Sequence, residues 1–164
     1  ALKDAKEVRY EIVLVNIISA DEKKQAEEAA RQVLVTIETG VRQVLADYAA
    51  GKLNDKITTT PSGLKVYTVE KGSGAALTPG ETIKTNYYGS LSNGTMFDNS
   101  YERGEPLAFA VGVGQMIPGY DEGAMLLNHG GKAYFFIPPA LGYGDKDNGP
   151  IPANSELVFY VEIL

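Results

Sequence analysis

The residues that could form a functional site lie between Tyr87 and Phe159, where aromatic side chains recur at the edges of short predicted strands. One acidic residue, Asp98, directly follows an aromatic one, Phe97. The sequence offers no obvious nucleophile with a base beside it and no acid–base pair. Such a set predicts an apolar pocket with a few polar groups on its wall. A pocket of this kind suits a reaction that depends on shape and on exclusion of water.

Three other patterns resemble known sites but lack the context that those sites require. The glycines at 112–114 have the wrong spacing for a dinucleotide loop. His129 is the only histidine and stands in a glycine-rich turn, which predicts a surface position. The acidic stretch at 145–148 has no glutamate at the spacing that closes a calcium loop, and is expected to be solvated. The sequence therefore predicts neither a metal site nor a cofactor.

The elements that would position the pocket follow from a change in composition near Thr60. All 8 prolines and all but two of the 18 glycines come after it, which is typical of a turn-rich sheet. Asn93-Gly94 is a strong hairpin turn because both residues accept positive φ. One short helix is predicted at 117–127, and strands at 64–70, 81–92, 96–98, 107–111, 132–138 and 156–164. These elements predict an α+β domain, an antiparallel sheet against one helix, with the pocket between them.

The region before Thr60 has a different character. The β-branched run at 8–18 predicts a strand, and Ser19 with Glu22 has the capping-box spacing that starts a helix. That helix is expected to end near Ala50, with Gly51 as its stop. Its apolar residues recur every three or four positions, which predicts one continuous stripe. The stripe consists of Ala26, Ala30, Val33, Ile37, Val41, Val44 and Tyr48. Residues 54–62 are interpreted as a linker.

These patterns give two domains, an N-terminal strand and helix over residues 1–60 and a second unit over 61–164. The apolar stripe has two interpretations: it packs on the neighbouring sheet, or it mediates a homodimer. The segment at 8–18 could instead be the remnant of a preceding domain.

Bulk properties exclude several classes of protein. The 164 residues carry a net charge of −6, which argues against nucleic acid or an anionic membrane surface as the main partner. No apolar run approaches the roughly 20 residues of a membrane span. There are no cysteines, so disulfides and thiolate chemistry are excluded. No secretory signal is evident. The compartment is left open between the cytoplasm and a bacterial periplasm or cell envelope.

Six motifs in the second unit occur in an order that resembles the FKBP-type peptidyl-prolyl cis–trans isomerases. The resemblance spans roughly residues 62–164. It implies a half-barrel sheet around one helix, isomerase activity on X–Pro bonds during protein folding, and no cofactor. The implied partners are proline-containing peptides, unfolded proteins and rapamycin-class macrolides. The motifs are Asn86-Tyr87-Tyr88-Gly89, Asn93-Gly94-Thr95-Met96-Phe97-Asp98, Met116-Ile117-Pro118-Gly119-Tyr120, the run from Phe136 to Gly144, Ile151-Pro152 and Leu157-Val158-Phe159.

The resemblance also assigns roles to individual residues. It implies that the Ile117 amide binds a substrate carbonyl and that the Tyr143 hydroxyl binds the substrate backbone. Asp98 is expected beside the prolyl carbonyl, oriented by an ion pair with Arg103; alternatively, Asp98 only shapes the pocket. The walls, rim and floor are implied to be Tyr87, Phe97, Leu107, Met116, Tyr120, Ile151 and Phe159.

Three departures from the family pattern bear on ligand preference. Tyr120 replaces the usual tryptophan, so its hydroxyl needs a buried partner. Leu107 stands where an aromatic wall is common, and the loop at 144–150 is one residue short. These changes affect macrolide affinity and sequence preference more than isomerase activity. The alternative function is a non-catalytic module, in which the same pocket binds prolyl peptides and the N-terminal helix acts as a chaperone-like or dimerising arm.

Overall fold

The computed structural model describes the backbone of residues 2–164 and the side chains of residues 19–164. Within that part, one seven-stranded antiparallel sheet has the order β1-β2-β6-β7-β3-β4, with β5 also paired to β3. The predicted α+β class with a long N-terminal helix is confirmed. The elements are α1 (Leu2–Ala49), β1 (Ile57–Thr59), β2 (Lys65–Glu70), β3 (Thr82–Leu91), β4 (Met96–Asn99), α2 (Ser100–Arg103), β5 (Leu107–Ala110), α3 (Pro118–Met125), β6 (Lys132–Ile137) and β7 (Leu157–Ile163).

The sheet is covered on both faces, and strand alternation decides which residues go to each. On β7, Phe159 and Val161 belong to the core shared with α3, whereas Val158 and Tyr160 belong to a second core shared with α1. Successive side chains of a strand point to opposite faces, so neighbouring residues serve different cores. We call the face toward α3 the inner face and the face toward α1 the outer face.

Helix α3 lies close against the inner face because two of its residues have no side chain. A Cβ placed on Gly119 would lie 2.5 Å from the Ile137 Cγ2 atom. A Cβ on Gly123 would lie 2.8 Å from the ring of Phe135. Pro118 occupies the first turn, where its missing N–H costs no intrahelical hydrogen bond. This close packing fixes the start of α3 relative to the sheet.

Helix α1 corrects two predictions. Its backbone is helical from Leu2 onward, so the strand predicted at 8–18 is wrong, and Ser19 with Glu22 does not start the helix. β-branched residues lower helix propensity by only tenths of a kcal/mol each. No glycine or proline precedes Gly40, so nothing interrupts the helix. The predicted faces of the 8–18 segment lie outside the described side chains.

The end of α1 was predicted correctly. Gly51 has φ 73°, and its amide donates to the Tyr48 carbonyl at 3.1 Å. The Lys52 amide donates to the Asp47 carbonyl at 2.9 Å. This pair of bonds forms a Schellman motif, in which a glycine adopts the left-handed conformation after the last helical turn. The linker predicted at 54–62 is wrong in part, since β1 pairs with β2 there.

The last third of α1 packs on the outer face, as one of the two interpretations of its apolar stripe required. Val41 and Leu45 are buried against Tyr134 and Phe136 of β6. Tyr48 stacks on Phe136 with ring centroids 4.0 Å apart. Toward the N-terminal end of α1, the apolar stripe is no longer covered by the sheet, and Val33 is 46% exposed.

Candidate functional site

A pocket of roughly 250 Å³ opens on the inner face, between the start of α3 and strands β3, β4 and β7. Three lining residues, Asn148, Gly149 and Pro150, were not predicted. Leu107 lies outside it, half-buried in β5 and packed against the inner core. The lining residues that were predicted are Tyr87, Phe97, Asp98, Met116, Ile117, Tyr120, Tyr143, Ile151 and Phe159.

Strand register brings the aromatic walls together. Gly89 of β3 is opposite Phe159 of β7 and also opposite Asp98 of β4. A Cβ on Gly89 would lie 2.9 Å from the rings of both Phe97 and Phe159, so this glycine leaves space for them. The two rings meet edge to face at 5.5 Å, a favourable geometry for aromatic pairs. The walls are therefore fixed by backbone pairing as well as by contact.

Three polar groups form a chain along one wall. The Tyr87 hydroxyl donates to the Asp98 Oδ2 atom at 2.5 Å and accepts from the Arg103 Nη2 atom at 2.5 Å. Arg103 also contacts the Asp98 Oδ1 atom at 3.3 Å, so the structure contains the pair that was expected. Burial, followed by the hydrogen bond to Asp98, raises the pKa of Tyr87 to about 12. Tyr87 is therefore a protonated donor at neutral pH.

The floor of the pocket is Tyr120, which is fully buried. Its hydroxyl shares a 2.8 Å hydrogen bond with the Thr85 Oγ1 atom, which is also fully buried. Burial is the main reason why the pKa of Tyr120 is raised. Thr85 is thus the buried partner of the Tyr120 hydroxyl, and it was not predicted from the sequence. The available signal was its inward position in β3, where the predicted strand otherwise presents apolar side chains to the core.

Asp121 holds the loop that leads into the rim. It is 8% exposed, and its carboxylate accepts from the Gly112 amide at 2.6 Å and the Gly114 amide at 3.0 Å. Both glycines have positive φ, 75° and 79°. Among the described residues, none accepts a hydrogen bond from the Ile117 amide, which lies just after this loop. Sequence reasoning did not single out Asp121.

A tight turn supplies the opposite rim. Asn148 and Ile151 exchange both backbone hydrogen bonds, at 2.9 and 3.0 Å, around Gly149 with φ 56°. Asp147 accepts from the Ala153 amide at 2.7 Å. Asp147 therefore stabilises the loop. The Asn148-Gly149 pair was the turn signal that could have placed this loop at the pocket.

His129 does not line the pocket. It lies in a turn, as the sequence predicts, but it also contacts two other parts of the chain. Its Nε2 atom contacts the Glu81 Oε1 atom at 2.7 Å, and its Nδ1 atom is 3.1 Å from the Leu164 carbonyl oxygen. The Leu164 carbonyl and then Glu81 raise the pKa of His129. The Thr78 amide and then His129 lower the pKa of Glu81. This cluster ties three parts of the chain together.

The described part of the chain contains neither a candidate metal cluster nor a candidate membrane-spanning helix. No group of three His, Asp or Glu side chains in that part of the chain is arranged to hold a metal ion. Over the same residues, no helix combines the length and apolar character that crossing a membrane requires.

A half-barrel sheet closed on one short helix, with an aromatic pocket between them, defines an FKBP-like domain. The crystal structure of AtFKBP13 matches 65% of this chain and 94% of its own, with a TM-score of 0.62 and 40% identity. The chain belongs to the FKBP-type peptidyl-prolyl cis-trans isomerase family, whose sequence model matches residues 74–164.

Similarity to one bacterial relative extends beyond that domain. The crystal structure of FkpA from Escherichia coli matches 92% of this chain and 68% of its own, with a TM-score of 0.65 and 37% identity. FkpA of Aeromonas hydrophila is 45% identical over 117 residues, which are 71% of this chain and 42% of that protein. FK506-binding protein 2 of Debaryomyces hansenii is 46% identical over 86 residues, 52% of this chain and 64% of that protein. The chain spans under half the length of its Aeromonas relative.

Proposed function

We propose that this chain accelerates cis–trans isomerisation of X–Pro bonds in unfolded polypeptides, without a covalent intermediate. One observation carries the proposal: residues from five separate segments line a single apolar pocket, with the carboxylate, hydroxyls and amide that the family pattern requires. The pocket volume of roughly 250 Å³ is large enough to receive a proline ring.

The reaction needs shape more than acid–base chemistry. Rotation about the X–Pro bond faces a barrier of about 18–20 kcal/mol because amide resonance is lost in the twisted state. A pocket that binds the twisted imide more tightly than either planar isomer lowers that barrier. The rings of Phe97 and Phe159 would grip the pyrrolidine, and the Ile117 amide would bind a flanking carbonyl. The pKa of Tyr87 is raised to about 12, so its hydroxyl is protonated at neutral pH and acts as a hydrogen-bond donor.

Asp98 has two candidate roles. It contacts the reacting amide directly, or it orients the Tyr87 hydroxyl and accepts from Arg103. We favour the orienting role because both of its oxygens already accept hydrogen bonds from these two side chains. Direct contact would require one of those bonds to lengthen when the substrate enters.

The test is a coupled isomerase assay on a prolyl tetrapeptide, measured as kcat/KM. Wild type should accelerate isomerisation, and Asp98→Ala combined with Tyr143→Phe should reduce kcat/KM by about 100-fold, since each lost polar contact accounts for roughly 10-fold. Asp145→Ala is the matched control, because Asp145 is exposed and does not line the pocket. No acceleration by wild type would refute the proposal.

The same assay separates the alternative, a non-catalytic prolyl-peptide or chaperone module. Such a module would bind the peptide in a fluorescence titration, and Phe159→Ala would abolish that binding, but the exchange rate would stay at the uncatalysed value. The enzyme proposal requires binding and acceleration together.

The finer partner assignments are proposals that rest on particular features. We propose that rapamycin-class macrolides compete for the pocket, with affinity altered by Tyr120 and by the absence of Leu107 from the lining. Calorimetry with wild type and Tyr120→Trp tests this. We also propose a homodimer through the apolar stripe of α1, since Val33 on that stripe is 46% exposed. Light scattering that shows a monomer at high concentration would exclude it.

Two further assignments stay predictions. Residues 61–164 are expected to carry the isomerase site, which an assay on that fragment tests. The compartment, cytoplasm or bacterial envelope, would be determined by fractionation of the source cells.

A further inference from the structure

A second and larger hollow, roughly 710 Å³ in volume, lies between helix α1 and the short helix α2. Its apolar lining comes from Ala26, Ala30 and Leu34 on α1 and from Tyr101 on α2. Its volume falls within the range of about 300–1,000 Å³ that is usual for ligand sites in proteins. We call this hollow the α1–α2 groove.

The groove and the prolyl pocket meet at one side chain. Arg103 lines the groove, and the same guanidinium donates to the Tyr87 hydroxyl and contacts Asp98. Tyr87 and Asp98 in turn line the prolyl pocket. The guanidinium carbon is 5.4 Å from the centroid of the Tyr87 ring. A chain that leaves the pocket over Arg103 would therefore enter the groove directly.

We propose that the α1–α2 groove binds the residues that flank the proline of a polypeptide substrate, so that helix α1 forms part of the substrate site. This proposal rests on the proposed isomerase function and assigns that function an extended subsite. The occupant is one extended segment of the same chain whose X–Pro bond occupies the prolyl pocket.

Dimensions and charges fit that occupant. From Lys23 to Leu34 the lining covers roughly 16 Å of helix, at about 1.5 Å per residue. An extended chain covers that length with about five residues at ~3.4 Å each. The charged residues of the lining alternate in sign, Lys23 and Glu27 then Arg31 on α1, facing Glu102 on α2. A rim of mixed charge suits a polypeptide of varied sequence, whereas a polyanion would need a uniformly basic one.

The basic residues on the α1 side of the groove are accessible in the unbound protein. Among the described residues, neither Lys23 nor Arg31 forms a salt bridge, although acidic residues flank both in the helix. Both are exposed, as is Glu27. These groups remain available to backbone carbonyls and charged side chains of a bound segment, with no internal pair to break first.

The experiment compares two substrates and two matched variants. One substrate is a prolyl tetrapeptide, which fills only the pocket. The other is the same tetrapeptide extended by six residues of mixed charge at each end. Ala30→Trp fills the groove. Ala29→Trp is the control, because Ala29 is an exposed residue of the same helix that does not line the groove. Circular dichroism verifies that both variants fold.

We expect extension to raise the kcat/KM of wild type by at least fivefold. Ala30→Trp should abolish that gain and leave tetrapeptide turnover within twofold of wild type, while Ala29→Trp should retain the gain. Equal turnover of the two substrates by wild type overturns the proposal, as does a gain that survives Ala30→Trp or a loss shared by both variants. Extension at one end only then shows which flank occupies the groove.

Failure of the isomerase function would be seen separately, as absence of tetrapeptide turnover by wild type. The groove is then judged by fluorescence anisotropy with a labelled extended peptide. A weakening of Kd by at least fivefold in Ala30→Trp but not in Ala29→Trp supports the groove. Equal Kd values in all three proteins overturn it.

Discussion

The two faces of the sheet are both buried, but they are built from different side chains. The inner face packs mainly aliphatic and phenylalanine residues against α3, and the hydroxyls of its two tyrosines are hydrogen-bonded, Tyr120 with Thr85 and Tyr87 with Asp98. The outer face under α1 is rich in tyrosines, including Tyr88, Tyr134 and Tyr160. Hydrogen-bonded tyrosine hydroxyls therefore lie where the pocket forms, and α1 docks on a surface with more tyrosines.

The outer face also contains hydroxyls that the described residues do not satisfy. The Tyr101 hydroxyl and the Ser90 Oγ atom are buried, and neither has a hydrogen-bond partner within that part of the chain. Burial raises the pKa of Tyr134 to about 12. Unpaired buried hydroxyls cost roughly 1–3 kcal/mol each. Apolar contacts from α1 must therefore outweigh a polar penalty that the inner face avoids.

The largest effect is expected from a substitution that disrupts the packing of the outer face alone. Val41→Asp places a charge among buried tyrosines and should reduce the free energy of unfolding by about 3–5 kcal/mol. Turnover of the prolyl tetrapeptide per folded molecule should stay within twofold, since the pocket is on the opposite face. Urea denaturation and the isomerase assay measure the two quantities.

Val35→Asp is the matched control for that change. Val35 is 50% exposed on the same helix, so its substitution should alter stability by less than about 0.5 kcal/mol. Equal losses in both variants would mean that α1 is not docked through Val41.

The next comparison uses one glycine on each covering helix. Gly123→Ala should destabilise by about 1–3 kcal/mol, because its Cβ would lie 2.8 Å from the enclosed Phe135 ring. Gly40→Ala on α1 should stabilise by about 0.5–1 kcal/mol, since its Cβ meets only the Tyr134 hydroxyl at 3.4 Å and alanine favours the helix. Thermal denaturation of both variants gives the values. If both changes shift stability in the same direction, the faces do not differ in packing as described.

A double-mutant cycle examines the buried hydroxyl pair of the inner face. Tyr120→Phe leaves the Thr85 hydroxyl without a partner and should destabilise by about 1–3 kcal/mol. Thr85→Val should have a similar cost. The double variant should cost less than the sum of the two, because no buried hydroxyl then remains unpaired. Additive losses from urea denaturation would show that the bond contributes little.

The smallest effect concerns pH and the His129–Glu81 pair outside both cores. The folded-state pKa of His129 is raised above 6.5, so its stabilisation is complete below pH 6.5 and is lost as pH rises through the raised pKa. The folded-state pKa of Glu81 is lowered below 4.5, so its contribution is present above pH 4.5 and is lost as pH falls through the lowered pKa. The His129–Glu81 pair therefore stabilises the fold fully between pH 4.5 and pH 6.5.

The measurement is the urea midpoint at pH 5.5 and at pH 8.5. Wild type should lose stability at the higher pH, and His129→Gln should lose less. Glu70→Gln, an exposed carboxylate outside the pair, should behave as wild type. An identical pH response in wild type and His129→Gln would show that the His129–Glu81 pair does not cause the pH dependence of stability.

Most of the inner face could be predicted from the sequence, whereas the docking of α1 on the outer face was only one of two interpretations. Strand alternation and the Asn93-Gly94 turn indicated β3, β4 and β7, and the family motifs named nine of the pocket residues, five of which lie outside these strands. The strand predicted at 8–18 failed because β-branched residues are common in both strands and helices, and local propensity differs by only tenths of a kcal/mol.

Contacts between distant segments account for the other omissions. The pairing of Thr85 with Tyr120, the capping of two loop amides by Asp121 and the meeting of His129 with Glu81 each join residues from separate elements. Periodicity specifies which face a residue occupies, but it does not specify which side chain lies opposite. The same limit explains why Leu107, although inward in register, fell outside the pocket.

The pairing of β3 with β7 has a consequence for how the protein is made. Tyr87 and Phe159 share one wall, yet about seventy residues separate them in the chain. On the ribosome, the first wall emerges several seconds before the last at about 5–20 residues per second. Until β7 arrives, the nascent chain has no complete pocket wall, so the proposed prolyl site forms only when nearly the whole domain has been synthesised.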